Sequence, residues 1–152
     1  MGVQPRYKEL AENLGAVTAV RRELARCLPH DCPAGAVTAL MLLARFGEMR
    51  MSKLAELLAI DMSVTSRHVA QLDARGWIDR HPDPLDGRSR LLKLNSSGQE
   101  LLDQVSERYT NALAASLGDW SDDDIGRLNE LLARLRTSFA QAGITTRTPA
   151  QR

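Results

Sequence analysis

Aromatic residues are scarce in this chain, with two Trp, two Tyr and two Phe among 152 residues. Any core must therefore rest on leucine, valine, alanine and methionine. No run of eighteen apolar residues occurs, which argues against a transmembrane helix. The N-terminal stretch MGVQPRYKEL lacks the apolar segment of a secretory signal, so a cytoplasmic location is the default expectation. Charge of one sign is not in excess: 20 basic residues stand against 19 acidic ones. That balance says nothing for or against a polyanionic partner. H-E-x-x-H, G-x-S-x-G, phosphate-loop and dinucleotide signatures are all absent. An enzyme is not expected, no residue is assigned a catalytic role, and no cofactor is called for.

What is present reads as an ordinary globular protein, 43% hydrophobic and 26% charged. The length suits a single domain over residues 1–152. Four helical patterns frame it. Leu10, Leu14, Val17, Leu24 and Leu28 recur at helical spacing until Pro29 ends the run. Val37, Leu40, Leu43 and Phe46 make a second stripe, closed by Gly47. A third pattern begins at Asn95 as a cap and runs to Gly118. The fourth opens with Ser121 and Asp124 in a capping arrangement, then sets Ile125, Leu128, Leu131, Leu132, Leu135 and Phe139 on one face. The closing TTRTPAQR reads as a frayed polar tail.

The middle of the chain is patterned differently. SKLAELLA predicts a short helix capped by Ser52, IDM breaks it, and a second helix runs from about Ser63 to Arg75 with Gly76 as its stop. After Gly76 the period falls to two: WIDRH and RLLKL alternate about a tip, PDPLDG. Pro82 and Pro84 keep that tip out of the ladder, and Gly87 frees the turn. Two short helices joined by a tight break and followed by a hairpin make a winged helix. The fold class is thus mainly α with a small β-hairpin wing.

On the second of the paired helices, Val69 and Leu72 take the inward spacing. Ser63, Val64, Ser66, Arg67 and Gln71 are left outward, with His68 beside them. Small hydroxyls, an arginine and an amide suit a major groove, where Arg67 would pair with guanine and Gln71 with adenine. Taken alone, such a helix reads rather as an ordinary solvated surface; its place after the helix–helix break reverses that in favour of DNA. Ser52, Arg88, Ser89 and Arg90 complete the candidate contacts. Arg88 and Arg90 flank Ser89 and share one face of a strand, so Arg88 can reach a minor groove. Asp86, which would repel phosphate, is expected to orient Arg88. The competing reading of the tip is a solvated hairpin with an incidental Asp–Arg pair.

Ser66, Arg67, Leu72, Gly76, Ile78, Arg80, Asp86, Arg88, Leu94, Asn95 and Gly98 resemble, in kind and spacing, the winged-helix core of MarR-type transcriptional regulators. That family's pattern runs T-R-x-x-x-x-L-x-x-x-G-x-[IV]-x-R, then D-x-R, then L-x-[LT]-x-x-G. Two departures are Ser66 in place of threonine, and His68 where an aliphatic residue is usual. The flanking helices match in number and order. The resemblance implies a winged-helix core over residues 34–95, with helices over 5–30 and 96–142 interlocking two copies as a dimerisation layer. It further implies a homodimeric repressor on a pseudo-palindromic operator in double-stranded DNA, relieved by a small ligand, often an anionic aromatic.

Both cysteines lie in CLPHDC, where His30 and Asp31 separate Cys27 from Cys32. The spacing does not fit a mononuclear zinc site, and Cys27 continues a helix. Inert thiols are the plain reading, while a thiol- or metal-responsive regulator using Cys27, His30 and Cys32 stays open. So does a DNA-binding dimer with no effector. His68 reads as a half-buried structural residue, or as a charge switch near its ordinary titration range. His81 is left between a contact to the DNA backbone and no role.

Overall fold

A computed structural model describes residues 4–141, so the polar tail lies outside the described residues. In chain order the elements are α1 (Pro5–Arg26), α2 (Ala34–Phe46), β1 (Met49–Arg50), α3 (Met51–Leu58), α4 (Met62–Ala74), β2 (Ile78–Asp83), β3 (Asp86–Leu94), α5 (Ser96–Ser116) and α6 (Asp122–Gln141). They fall into two compact units divided between Leu113 and Ala114. The helical class with a small antiparallel wing is as expected.

In the first unit, the strands form one antiparallel sheet in the order β1-β3-β2. The two-residue β1 was not legible as a strand; its Met49 pairs with Leu92 and its Arg50 with Leu91. The core lies among α2, α3, α4, β3 and the first half of α5. Val37, Leu40, Leu43, Leu54, Val69, Leu72, Leu92 and Val105 are all at most 2% exposed. Phe46, expected in the stripe of α2, is instead 55% exposed. α1 buries none of its residues, and Leu10, Leu14, Val17 and Val20 line an open apolar face.

Helix ends explain the sharp joints. α3 is not capped by Ser52: Arg50 holds the N-cap position, and Ser52 lies inside the first turn without a capping bond. The α3–α4 turn places Ala59 at φ 54°, where Ala59 N–H bonds the Glu56 carbonyl and Ile60 N–H bonds that of Ala55. This is a helix stop that ordinarily takes glycine. α4 begins one residue early, at Met62, and the buried Thr65 returns its hydroxyl to the Asp61 carbonyl at 3.0 Å. Gly76, at φ 69°, ends the joint as expected: its N–H reaches Asp73 and that of Trp77 reaches Leu72, both at 3.0 Å.

From that joint the chain is tied to α5. Asn95 donates to the Gly76 carbonyl at 2.9 Å and to Asp79 at 3.2 Å, while its Oδ1 caps Gly98 N–H at 3.0 Å. α5 ends at Ser116, two residues short of the expected stop at Gly118.

In the second unit, α6 opens with the expected capping box. The Asp124 N–H donates to Ser121 Oγ at 3.1 Å, and the Ser121 hydroxyl donates to Asp124 at 2.8 Å. No residue of α6 is buried, and Leu131, Leu132 and Phe139 are about half exposed.

Among the described residues, no helix is long and apolar enough to cross a membrane.

Candidate nucleic-acid interface

α4 turns Thr65, Val69 and Leu72 into the core, which fixes what remains outside. Ser63, Ser66 and Arg67 are exposed, as is Ser52 on α3. Val64 and Gln71 are half-buried rather than outward, and the Gln71 Oε1 is buried without a hydrogen-bond partner. His68 is also half-buried. Its ring lies so close to Gly35 of α2 that a Cβ on Gly35 would collide with it. The Nδ1 of His68 is likewise buried and unpartnered. Residues at i and i+3 share a helix face, so His68 and Gln71 flank the α2 side of the helix. The open face of α4 is therefore narrower than the periodicity suggested, because α2 comes closest where glycine removes a side chain.

The hairpin differs more from its expectation. Pro82 does not lie outside the ladder; it pairs in register with Arg90, and only Pro84 and Leu85 form the connection. Proline is tolerated because β2 is an edge strand. The register then slips so that Asp83 faces Asp86, leaving Gly87, Arg88 and Ser89 as a bulge. Gly87 is not in the left-handed region, and a Cβ there would meet nothing within 4 Å. The bulge, not glycine, gives the tip its shape.

Asp86 does orient this segment, but not through the guanidinium of Arg88. Its carboxylate accepts the backbone N–H of Arg88 and the hydroxyl of Ser89, each at 3.1 Å. Ser89 is half-buried by that bond, whereas Arg88 and Arg90 point to solvent.

Asp83, a residue to which the sequence assigned nothing, underlies the tip. It is 6% exposed, accepts Leu85 N–H at 2.9 Å on one oxygen, and takes Arg50 Nε at 2.6 Å on the other. The Leu85 N–H, then the Arg50 guanidinium, hold its carboxyl below the ordinary value. Two more pairs brace the hairpin base. Arg80 meets Asp73 of α4 at 3.1 Å, and His81 Nε2 faces Glu48 at 3.0 Å, which gives His81 a place in the protein's own scaffold.

A charge count alone hides the outcome. Arg50 and Arg80 are spent on internal pairs, while Arg67, Arg88 and Arg90 have no ion-pair partner among the described residues. Arg67 on α4 and Arg88 and Arg90 at the wing tip thus stay exposed without an ion pair, as does Lys93 farther along β3.

A groove of about 430 Å³ opens elsewhere in this unit, between α1, α2 and α5. Arg21, Arg22, Thr18, Thr38 and Tyr109 supply polar groups, against Leu24, Val37 and Met41. Burial pushes the Tyr109 phenol above its ordinary value, so it remains a neutral donor. Cys32 is buried, and that burial raises its thiol against the pull of Arg75, which disfavours the reactive thiolate. Cys27 Sγ lies 3.8 Å from the Glu23 carbonyl. Among the described residues no three of His, Cys, Asp and Glu gather where they could hold a metal ion.

Residues 30–89 match the model of the MarR family. An uncharacterized HTH-type transcriptional regulator, YxaD of Bacillus subtilis, is 34% identical over 97 residues, covering 64% of this chain and 68% of its own. Two other curated relatives are spanned over only 61% and 58% of their length. Among solved structures, a cysteine-to-serine mutant of MarR from Escherichia coli is similar at TM-score 0.74 and 23% identity. That match covers 89% of this chain and 98% of the other. The PcaV transcriptional regulator of Streptomyces coelicolor, solved in complex with its natural ligand, is similar at TM-score 0.64 and 19% identity, over 90% and 98% of the two chains.

Proposed function

Since this chain belongs to the MarR family of DNA-binding, winged-helix transcriptional regulators, we propose that it acts in the cytoplasm as a homodimeric repressor, and not as an enzyme. Each copy seats the exposed face of α4 in a major groove of a pseudo-palindromic operator and its wing in the adjoining minor groove. The observation that carries this is the sorting of arginines. In one folded unit Arg50 and Arg80 are held in ion pairs at the base of the hairpin, and Arg67, Arg88 and Arg90 are exposed without an ion pair on α4 and the wing tip. Free guanidinium groups suit phosphates, guanine edges and the negative potential of a narrow minor groove. Ser52, Ser63, Ser66 and Ser89 join them as short hydroxyl partners, while Val64, His68 and Gln71 support α4 from its half-buried flank.

Dimerisation is supported by two open apolar faces, Leu10, Leu14, Val17 and Val20 on α1 and Leu128, Leu131, Leu132 and Phe139 on α6, which a second copy would cover. The groove lined by Arg21, Arg22 and Tyr109 suits a small anionic aromatic, whose carboxylate meets the arginines while its ring meets Val37 and Met41. Binding there relieves repression. A raised Cys32 thiol gives no support to thiol sensing.

The test is selection of duplexes from a random-sequence library with purified protein. An inverted repeat with half-sites about one helical turn apart is the expected result; no enrichment overturns the reading. A thermal-shift screen with phenolic acids, zinc and a peroxide then separates ligand, metal and thiol control, and silence in all three favours a dimer without an effector.

A further inference from the structure

The wing tip carries an apolar side chain that the arginine contacts leave unused. Leu85 is 94% exposed, against 62% for Tyr7, the next most exposed large apolar residue among those described. Neither folding nor turn chemistry asks for leucine there. Leu85 is outside the core cluster, and two-residue hairpin tips ordinarily take Asn, Asp or Gly.

Its backbone is nonetheless fixed from every side. Pro84 restricts its own φ. The Leu85 N–H is bonded to Asp83, which is itself buried and anchored by Arg50. Across the turn, Asp86 holds Arg88 N–H and the Ser89 hydroxyl. The result is a stiff mount that holds one fully wetted leucine beside two unpaired guanidinium groups.

We propose that Leu85 is the apolar DNA contact of the wing, entering the minor groove next to Arg88 and becoming buried against the deoxyribose walls. This rests on the reading of the hairpin as a DNA-contacting wing. Charge selects the partner: the neighbouring arginines favour a polyanion, and leucine is among the side chains that minor-groove proteins insert. Size agrees, since one side chain on a narrow tip fits a groove about 6 Å wide. A protein partner would need roughly 800 Å² on this side, which an isolated leucine does not offer. The arginines supply the salt-dependent part of binding and Leu85 a part that salt does not screen.

The probe is the duplex that the wild-type protein enriches from a random library. Affinities of wild type, Leu85→Ser, Leu85→Met and Arg88→Ala are measured across a salt series, with thermal unfolding of each free protein. Leu85→Ser should bind about tenfold more weakly at every salt concentration, with an unchanged slope of log affinity on log salt. Leu85→Met should remain within about threefold of wild type, and neither Leu85 variant should shift the Tm. Equal affinity of Leu85→Ser and wild type would overturn the proposal and leave the wing reading intact, provided Arg88→Ala weakens binding. A loss expressed as a shallower salt slope would also overturn it, because displaced arginines would then be the cause. If Arg88→Ala binds as wild type does, or no duplex is enriched, the wing reading falls and this proposal with it.

Discussion

Arg50 and Asp83, 33 residues apart, are joined beneath the wing tip by a guanidinium–carboxylate pair with Nε–Oδ2 at 2.6 Å. The pair fastens the start of α3 to the end of β2. Asp83 is buried and its second oxygen holds Leu85 N–H. Losing the carboxylate therefore releases both the anchor and the turn.

The acid dependence of stability follows from that geometry. The carboxyl of Asp83 is held below its ordinary 3.8, first by Leu85 N–H and then by Arg50. A folded-state value below the unfolded one contributes stability that is in place above about pH 4 and is lost as pH falls through the folded value. Asp83→Asn should thus be less stable than wild type at pH 7, with the gap narrowing as pH falls below about 4. Urea midpoints of the two proteins across a series of falling pH measure it. A gap that never narrows down the series would count against the ionised carboxylate as the source of stability.

Gly98 is held by a backbone that cannot yield. A Cβ on Gly98 would run into the Trp77 carbonyl and the Leu94 side chain, because Asn95 draws the start of α5 onto the Gly76 joint. Gly98→Ala should cost about 1–3 kcal/mol, the usual range for overpacking a tight contact. At Gly35 the obstacle is the ring of His68. Gly35→Ala should be destabilising alone and nearly neutral in a His68→Ala background, a coupling that a double-mutant cycle of urea midpoints reads directly.

The same joint shows how much the sequence disclosed. Periodicity located α2, α4, α5 and α6, and the glycine after α4 marked its end, since these are local signals. Asn95 and Gly98 also stood out, but as motif positions whose physical role emerged only when the chain brought Gly76 beside them. The length of the tip is not legible from its prolines, because proline breaks a central strand but fits the free edge of β2. Asp83, Glu48 and Asp73 carry no local signal. Their partners lie on other elements, and nothing in one segment's pattern says which distant charge will meet it. Helical phase alone puts Gln71 outward, because it cannot see how closely α2 approaches at Gly35, whereas His68 is half-buried as expected.

Arg88 and Arg80 provide a paired test of the arginine sorting. Arg88 is exposed and unpaired, so Arg88→Ala should leave stability within about 0.5 kcal/mol. It should also weaken duplex binding and lower the salt slope by about one. Arg80 is engaged by Asp73 at 3.1 Å. Arg80→Ala should leave the salt slope unchanged and act through the positioning of the wing against α4. Anisotropy titrations at several salt concentrations distinguish the two, and identical slopes for wild type and Arg88→Ala would remove Arg88 from the interface.

Dimerisation makes the final prediction. On α6, Leu128, Leu131, Leu132 and Phe139 are between 38% and 54% exposed along one face, with Trp120 at 43% just before the helix. Fully burying such a side chain is worth about 1.5–3 kcal/mol, and these are already about half covered, so each would gain on the order of 1 kcal/mol under a second copy. Light scattering should give twice the 16.8 kDa chain mass. Deleting the residues after Ser121 should leave monomer or aggregate. In the full chain, Leu132→Asp should weaken the dimer at least about thirtyfold, the effect of losing a hot-spot residue, while circular dichroism keeps its helical signal. A folded, soluble dimer after the truncation would place the dimer contact elsewhere, with the face of α1 as the surface to test next.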